Sequence, residues 1–258
     1  MEQSKSKKLI HLIRKILILV YSKIIGLAYL LKIKNVKNIP IIINNFNRLT
    51  YLKKLITSLE KRDCTNIIIL DNQSTYPPLL EYYETCKYKV VFLDKNYGHK
   101  ALWDSGYYNK ICNDFFVYTD PDLCLVEDCP VDFMSFLMKK LVKYRIEKIG
   151  LGLKIDDLPD HYNNKLKVIE WETQFWNIKV EDNVYNAKVD TTFALYSPFT
   201  KPYYGSPAHI PAYRTVNLYM CYHLPWYENY SNLDEENLYY LQSTNSSSEW
   251  LSEKNRLN

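Results

Sequence analysis

Apolar and polar residues alternate along the first half of the chain in blocks whose lengths suit short strands and helices. Runs rich in β-branched or aromatic residues and bounded by polar ones predict strands buried on both faces. These runs lie at 40–45, 66–71, 89–93 and 115–119. Residues 47–62 place leucine and isoleucine at helical spacing, and shorter helices are predicted over 78–86 and through 101–103. This alternation predicts βαβ units and a parallel sheet.

The second half of the chain continues this pattern only as far as about residue 155. A helix is predicted from Phe133 to Tyr144, and residues 148–153 predict another strand. The rest is irregular and rich in aromatic residues, with strand-like pieces at 190–196 and 213–220. We therefore expect an α/β fold with a mostly parallel, Rossmann-type central sheet flanked by helices.

An N-terminal segment, residues 8–32, is apolar except for one narrow helical face. That face holds Lys8, His11, Lys15, Ser22 and Gly26. A spanning helix needs about 20 apolar residues without a central charge, and Lys23 interrupts the run. The pattern predicts an amphipathic helix lying in the membrane surface. A helix packed on the domain or on a partner, and a true span, are the alternatives.

These patterns divide the chain into three segments. Residues 1–38 are predicted to form the basic membrane-associating helix and a linker, and residues 39–242 the α/β domain. Residues 243–258 are predicted to be a tail, because they begin with a linker-like, serine-rich stretch.

Charge is unevenly divided between these segments. The chain carries +4 overall, whereas residues 1–38 carry +8, which leaves −4 for the remainder. A mildly acidic body argues against nucleic acid as a partner, and a basic N-terminal segment suits anionic lipid. The six cysteines form no CxxC pair and show no zinc-ligand spacing, which indicates reduced thiols. We therefore expect a cytoplasmic protein, peripheral at the membrane surface.

Polar side chains follow several of the predicted strands. They are Asn44-Asn45, Asp71-Asn72 and Asp120-Pro121-Asp122. Pro121 fixes its own backbone and disfavours a helical Asp120, so the chain turns there. Ligands of open α/β sheets bind at the carboxyl ends of strands, and two carboxylates suit Mg²⁺ or Mn²⁺ carrying a phosphate. The alternative is an ordinary turn, which Asp-Pro-Asp also favours.

Several motifs occur in an order that is similar to one known family. They are Ile41-Ile42-Ile43-Asn44-Asn45-Phe46-Asn47-Arg48, Ile69-Leu70-Asp71-Asn72-Gln73-Ser74, Asn96-Tyr97-Gly98 and Tyr118-Thr119-Asp120-Pro121-Asp122. Together they resemble the GT-A-fold, family-2-like nucleotide-sugar glycosyltransferases. The later segments Asp190–Tyr196 and His223–Tyr227 resemble a subset that builds bacterial or viral surface glycans.

The resemblance implies roles for particular residues. It implies that Asp71 receives the nucleoside base, that Asn44 holds the nucleoside, and that Gly98 lets the backbone approach the ligand. Asp120 and Asp122 resemble the pair that touches the ribose and holds the divalent metal, Mn²⁺ or Mg²⁺. His223 resembles a third metal or phosphate contact. Asn72 is a further expected nucleotide-sugar contact, but it stands where the family carries a second acid, so the base identity stays open.

Sugar transfer also needs a base near the acceptor hydroxyl if the anomeric centre inverts. Asp190 opens a hydroxyl-rich Asp-Thr-Thr before an apolar strand, which suits a pocket rim. Glu172 lies between aromatic residues that could stack on a sugar ring. Both are candidate catalytic residues, and an exposed acid or helix cap is the alternative for each.

The expected function is metal-dependent transfer of a sugar, with inversion, from a nucleoside-diphosphate sugar such as a UDP-sugar. The expected acceptor is a glycan or a lipid-linked molecule. One alternative is a nucleotidyltransferase that makes nucleotide sugars, although no glycine-rich, basic triphosphate loop follows the first strand. Another alternative is a non-catalytic protein that binds nucleotide sugars or glycans.

Overall fold

Short strands joined by helices carry the polar residues that the sequence places at strand ends. A computed structural model describes residues 11–21, 23–24, 36–203 and 205–243 of the chain. Its strands are β1 Ile41–Asn45, β2 Ile67–Asp71, β3 Lys89–Phe92, β4 Phe116–Thr119, β5 Leu123–Leu125, β6 Lys148–Gly150, β7 Gly152–Leu153, β8 Lys179–Glu181, β9 Val184–Asn186, β10 Ala194–Tyr196, β11 Ala212–Thr215 and β12 Met220–His223. Its helices are α1 over residues 11–21, α2 Thr50–Glu60, α3 Pro77–Thr85, α4 Ala101–Asp104, α5 Phe133–Tyr144, α6 Lys165–Thr173 and α7 Glu235–Ser243.

Most of these strands belong to one sheet. Across the described ranges, nine strands pair in the order β3-β2-β1-β4-β10-β6-β11-β9-β8, and three pair in the order β5-β12-β7. The first four strands of the large sheet are mutually parallel, whereas β10 and β9 run against their neighbours. The predicted α/β fold, with a mostly parallel central sheet flanked by helices, is confirmed.

The large sheet is buried on both faces, as its apolar strands predict. Ile41 and Ile43 of β1 belong to one hydrophobic cluster, and Ile42 between them belongs to the other. This arrangement follows from the two-residue alternation of a strand. Helix α2 covers the first face with Leu52 and Leu55, both fully buried. Each such leucine contributes about 1.5–3 kcal/mol through burial, so β1 is held firmly at the centre.

Two predicted strands are each divided in the structure. The pattern over 148–153 becomes β6 and β7, and the pattern over 213–220 becomes β11 and β12, because both segments cross from the large sheet to the small one. Asn217 adopts a positive φ of 61° at the second crossing. A Cβ on Gly152 would lie 2.2 Å from the Thr215 carbonyl oxygen, so the two crossings pack against each other. The second crossing carries His223 to a position opposite Leu123 of β5.

Helix α1 contacts the α/β domain along one face. The Tyr21 hydroxyl donates to the Asn113 carbonyl (3.0 Å), His11 packs edge-on against Tyr203, and Ile18 is buried. The opposite face is apolar and exposed. It consists of Leu12, Ile13, Ile16, Leu17, Val20 and Ile24. Among the residues described, no helix is long and apolar enough to cross a membrane.

Parts of two predicted segments lie outside the described residues. These parts are residues 1–10, 22 and 25–35 of the N-terminal segment, and the tail after Ser243. The prediction of a membrane-surface helix over 8–32 therefore concerns a segment of which the structure describes only the central part.

Candidate functional site

The polar residues at the carboxyl ends of β1, β2 and β4 stand at one edge of the sheet. Asn45 of β1 pairs in register with Asp71 of β2, and Ile43 pairs with Thr119 of β4. Because these strands are parallel, Asn44, Asp71 and Asp120 reach the same carboxyl-terminal rim. Ligands of open α/β sheets bind at such a rim.

A pair of asparagine amides holds the loop after β3 against this rim. The side-chain nitrogens of Asn44 and Asn72 donate to the Gly98 carbonyl oxygen, at 3.2 and 3.1 Å. The Asn72 side-chain oxygen also accepts from the Tyr97 backbone nitrogen at 2.7 Å. Gly98 has a φ of 63°, which favours glycine. The Asn72 side chain therefore anchors this loop through both a donor and an acceptor atom. An ionised carboxylate at this position could accept a hydrogen bond but could not donate one.

Asp71 is buried and hydrogen-bonded within the rim. Its carboxylate accepts from the Ser74 backbone nitrogen at 2.9 Å and from the Tyr83 hydroxyl at 3.0 Å. Asn45 in turn donates to the Tyr83 oxygen at 2.8 Å. These bonds stabilise the turn after β2 and fix the direction of the carboxylate.

Asp120 is linked to the loop that precedes β10. Its backbone nitrogen donates to the Thr191 carbonyl oxygen at 3.0 Å, and the Thr191 hydroxyl donates to its carboxylate. Burial raises the pKa of Asp120 well above its usual range, and the nearby charge of Asp122 adds to this rise. A cation at the rim would relieve both effects. No signal in the sequence marked Thr191 beyond its position next to Asp190.

Asp122 faces His223 across the β5–β12 pair. The His223 Nε2 atom lies 3.4 Å from the Asp122 carboxylate, and the Leu224 backbone nitrogen donates to the Asp122 carbonyl at 2.8 Å. Burial raises the pKa of Asp122, but His223 and Arg48 outweigh burial and leave it below its ordinary value. The Nδ1 atom of His223 is buried and makes no hydrogen bond to any described residue.

The donor atoms at this position suit a divalent cation. No three acidic, histidine or cysteine side chains converge as a closed metal site within the described ranges. Asp122 and His223 nevertheless form an adjacent carboxylate and imidazole pair, and the carboxylate oxygens suit Mg²⁺ or Mn²⁺. A cation held by few protein ligands keeps positions for phosphate oxygens. The residues present therefore fit a divalent cation that keeps open coordination positions.

Glu172, one of the two candidate bases, forms a buried ion pair. Its carboxylate lies 2.8 Å from Arg214 Nη1, and both side chains are at most 5% exposed. Burial raises the pKa of Glu172, and Arg214 opposes that rise. The Arg214 guanidinium also lies over the Phe175 ring. A carboxylate with this partner and this burial is poorly placed to reach an acceptor hydroxyl.

Asp190, the other candidate, has an exposed side chain on a fixed backbone. The buried Lys148 ammonium donates to the carbonyl oxygens of Val189 (2.5 Å), Asp190 (2.9 Å) and Pro207 (3.3 Å). Burial lowers the pKa of Lys148 to about 7. Asp190 directly precedes Thr191, whose carbonyl oxygen accepts from the Asp120 backbone nitrogen at 3.0 Å, so the Asp190 backbone lies beside Asp120. Asp190 is thus an accessible acid beside the metal-binding candidates.

The C-terminal helix α7 contacts the start of α2 beside this rim. The Glu236 carboxylate accepts from the backbone nitrogens of Leu49 and Thr50, and so stabilises the first turn of α2. Arg48 donates to Asn237 at 2.6 Å and stacks on Tyr240, with its guanidinium carbon 3.5 Å from the ring centroid. Sequence reasoning missed this arrangement, because nothing in the pattern connects residues 235–243 to the first strand.

The elements and the rim together define an α/β protein with a polar, acidic site at the carboxyl edge of its sheet. The sequence matches no protein-family profile and no curated protein. Solved structures with a similar arrangement include S. aureus TarS 1-349, at 15% identity and a TM-score of 0.38 over 62% of this chain. A second TarS structure matches at 16% identity and 0.38 over 62%.

A further similar structure is GalNAc-T7 with UDP, GalNAc and Mn²⁺, at 12% identity and a TM-score of 0.47 over 71% of this chain. The chain covers 46%, 28% and 43% of the three matched structures, in the order given. Because every TM-score is below 0.5, these likenesses say nothing about what this chain acts on.

Proposed function

We propose that the protein is a metal-dependent glycosyltransferase that uses a nucleoside-diphosphate sugar, with a UDP-sugar as the first candidate. The observation that carries this proposal is the Asp122–His223 pair, 3.4 Å apart, at the rim where Asp120 is bonded to Thr191, the neighbour of the exposed Asp190. Transfer of a sugar needs charge neutralisation at the leaving diphosphate and a base at the acceptor. This rim offers side chains for both tasks.

The proposed donor site extends from Asp71 to His223 along the rim. Asn44, Asp71, Asn72 and the Gly98 loop receive the nucleoside, and Asp120 contacts the ribose. Asp122 and His223 would hold Mn²⁺ or Mg²⁺, which neutralises charge on the diphosphate when it is bound. The bonds from Asn44 and Asn72 to the Gly98 carbonyl support this role, because they fix the loop before any ligand binds.

Asp190 is the proposed catalytic base for a glycan or lipid-linked acceptor. It would accept the acceptor proton as the hydroxyl attacks the anomeric carbon, which gives an inverted product. Its exposure and its fixed backbone support this assignment. Glu172 is then a structural residue whose carboxylate neutralises Arg214.

The metal role is tested by replacing Asp122 with alanine. We expect Asp122→Ala to reduce UDP-sugar turnover by about 10²–10³-fold, because the leaving diphosphate loses its charge neutralisation. The same loss is expected when wild-type protein is treated with EDTA, with recovery on adding Mn²⁺. Asp128→Ala, at an exposed acid elsewhere, serves as the control.

Full turnover by Asp122→Ala would contradict the metal role. Release of pyrophosphate from a nucleoside triphosphate and a sugar phosphate would instead indicate a nucleotidyltransferase. Tight nucleotide-sugar binding, without transfer or hydrolysis over a panel of acceptors, would indicate a non-catalytic binding protein.

The two candidate bases are expected to respond differently to isosteric substitution. Asp190→Asn removes the proton acceptor, so we expect loss of transfer with unchanged UDP binding and unchanged urea midpoint. Glu172→Gln leaves Arg214 buried without its counter-charge, so we expect a loss of stability of about 3–5 kcal/mol. If folded Glu172→Gln transfers sugar near the wild-type rate, the result supports Asp190 as the base. If Asp190→Asn transfers sugar near the wild-type rate, Asp190 is not the base.

A membrane surface is the proposed location of the reaction. The exposed apolar face of α1 supports this proposal, since such a face suits the boundary of a bilayer. Vesicles that contain anionic lipid should sediment wild-type protein. They should sediment the double variant Leu12→Gln/Leu17→Gln much less, because it loses two exposed apolar side chains of that face. Equal sedimentation of the two proteins, or none of either, would refute the proposal.

A further inference from the structure

A groove runs along the outside of the domain between α2 and β5. It encloses about 640 Å³, with Leu49 and Thr50 at one end and Arg62 and Glu127 at the other. The 11 residues of α2 give it a length of about 16 Å, since an α-helix rises about 1.5 Å per residue. A groove of this length accommodates several units of a linear chain.

The walls of this groove are fixed by hydrogen bonds. The buried Arg62 guanidinium donates to the carbonyl oxygens of Ser58 (2.8 Å), Val126 (2.7 Å) and Cys129 (2.9 Å). The Leu125 backbone nitrogen donates to the Ser58 hydroxyl at 3.4 Å. These bonds hold the helix and the strand at a set separation, so the groove does not have to form when a ligand arrives.

The groove is basic although the body of the protein is mildly acidic. Lys53, Lys54 and Lys61 lie along it with exposed side chains, and Glu127 is the only acid among its lining residues. In the part of the chain that the structure describes, none of the three ammonium groups is paired with a carboxylate. The Lys53 and Lys54 ammonium groups lie over the Tyr82 and Tyr51 rings, at 4.7 and 6.0 Å from the ring centroids, and these contacts leave their positive charge without a counter-charge.

The groove is lined in part by the strand pair that leads to the candidate metal ligands. Cys124 and Tyr222 line the groove and are partners in the β5–β12 pair. Cys124 stands two residues after Asp122, and Tyr222 stands one residue before His223. A chain lying in the groove therefore ends close to the proposed site of transfer.

We propose that this groove binds an anionic glycan chain, bearing carboxylate or phosphate groups, and directs its hydroxyl end to the rim as the acceptor. The identity of the chain as an acceptor rests on the proposed glycosyltransferase function. The lysines recognise the anionic groups, and the Thr57 hydroxyl and the Tyr222 side chain offer contacts to sugar units. A concave groove favours a linear chain over a membrane, because a flat bilayer surface does not enter it.

The test is binding of defined acidic chains, measured by isothermal titration calorimetry. The probes are an oligogalacturonate and a linear polyphosphate, and neutral maltooctaose serves as the uncharged control. We expect Lys53→Gln/Lys54→Gln/Lys61→Gln to raise the Kd for an acidic chain about tenfold, since each exposed charge contributes a modest amount. Higher salt should weaken wild-type binding, because it screens exposed charges. The matched control, Lys89→Gln/Lys110→Gln/Lys139→Gln, removes three exposed lysines outside the groove and should bind like wild type.

Several results would overturn the proposal. They are failure of wild-type protein to bind either acidic chain, equal weakening in both triple variants, and equal affinity for maltooctaose. Loss of binding to anionic vesicles in the groove variant, with binding to both acidic chains retained, would assign the lysines to a membrane surface instead.

Binding of UDP with Mn²⁺, measured on the same three proteins, separates this inference from the proposed function. If all three bind UDP equally but no acidic chain binds, the groove inference fails and the proposed function stands. If acidic chains bind through the groove but UDP binds to none of the three, the glycosyltransferase proposal fails and the groove remains a glycan site.

Discussion

The parallel pairing of β1 with both β2 and β4 is the constraint on which the rest of the structure depends. Three neighbouring strands that run the same way carry their carboxyl ends to the same edge, and their observed register aligns Asn45 with Asp71 and Ile43 with Thr119. The polar residues at the carboxyl ends of these strands therefore reach the same rim. Asn44, Asp71 and Asp120 owe their proximity to this pairing.

The rim gathers negative charge in a setting that is costly for it. Burying a carboxylate removes its hydration. The free-energy cost of this desolvation is offset only when hydrogen-bond or charged partners lie close. The Thr191 hydroxyl donates a hydrogen bond to the Asp120 carboxylate, and the His223 imidazole lies beside the Asp122 carboxylate. The raised pKa of Asp120 shows that the protein's own groups compensate its charge incompletely. Under the proposed function, a bound cation would compensate this remaining charge.

Buried basic side chains stabilise the loops around the rim through hydrogen bonds and ion pairs. Lys148 donates to successive carbonyl oxygens and so fixes the backbone of Asp190, while Arg214 is neutralised by Glu172. Arg62 ties the end of α2 to the loop after β5 and shapes the basic groove. Each of these long side chains acts through main-chain carbonyls or a single acid, so their roles are visible only once the tertiary contacts are known.

The sequence could predict the first half of the fold because its apolar runs have clear strand and helix periods. It also predicted the strand-end residues as site candidates. The pattern over 213–220 predicted one strand, whereas a turn at Asn217 divides it and moves His223 to the second sheet. Periodicity does not report such a crossing, because both halves are equally apolar. The ion pair of Glu172 and the contact of α7 with Arg48 join residues far apart in the chain, so no local pattern could predict them.

Electron paramagnetic resonance of Mn²⁺ tests the central claim most directly, since it detects the free ion without relying on turnover. We expect wild-type protein and UDP together to remove the free Mn²⁺ signal, and a His223→Ala variant with UDP to leave most of that signal in place. A free Mn²⁺ signal that is unchanged by wild-type protein and UDP would contradict a cation shared between this rim and a diphosphate.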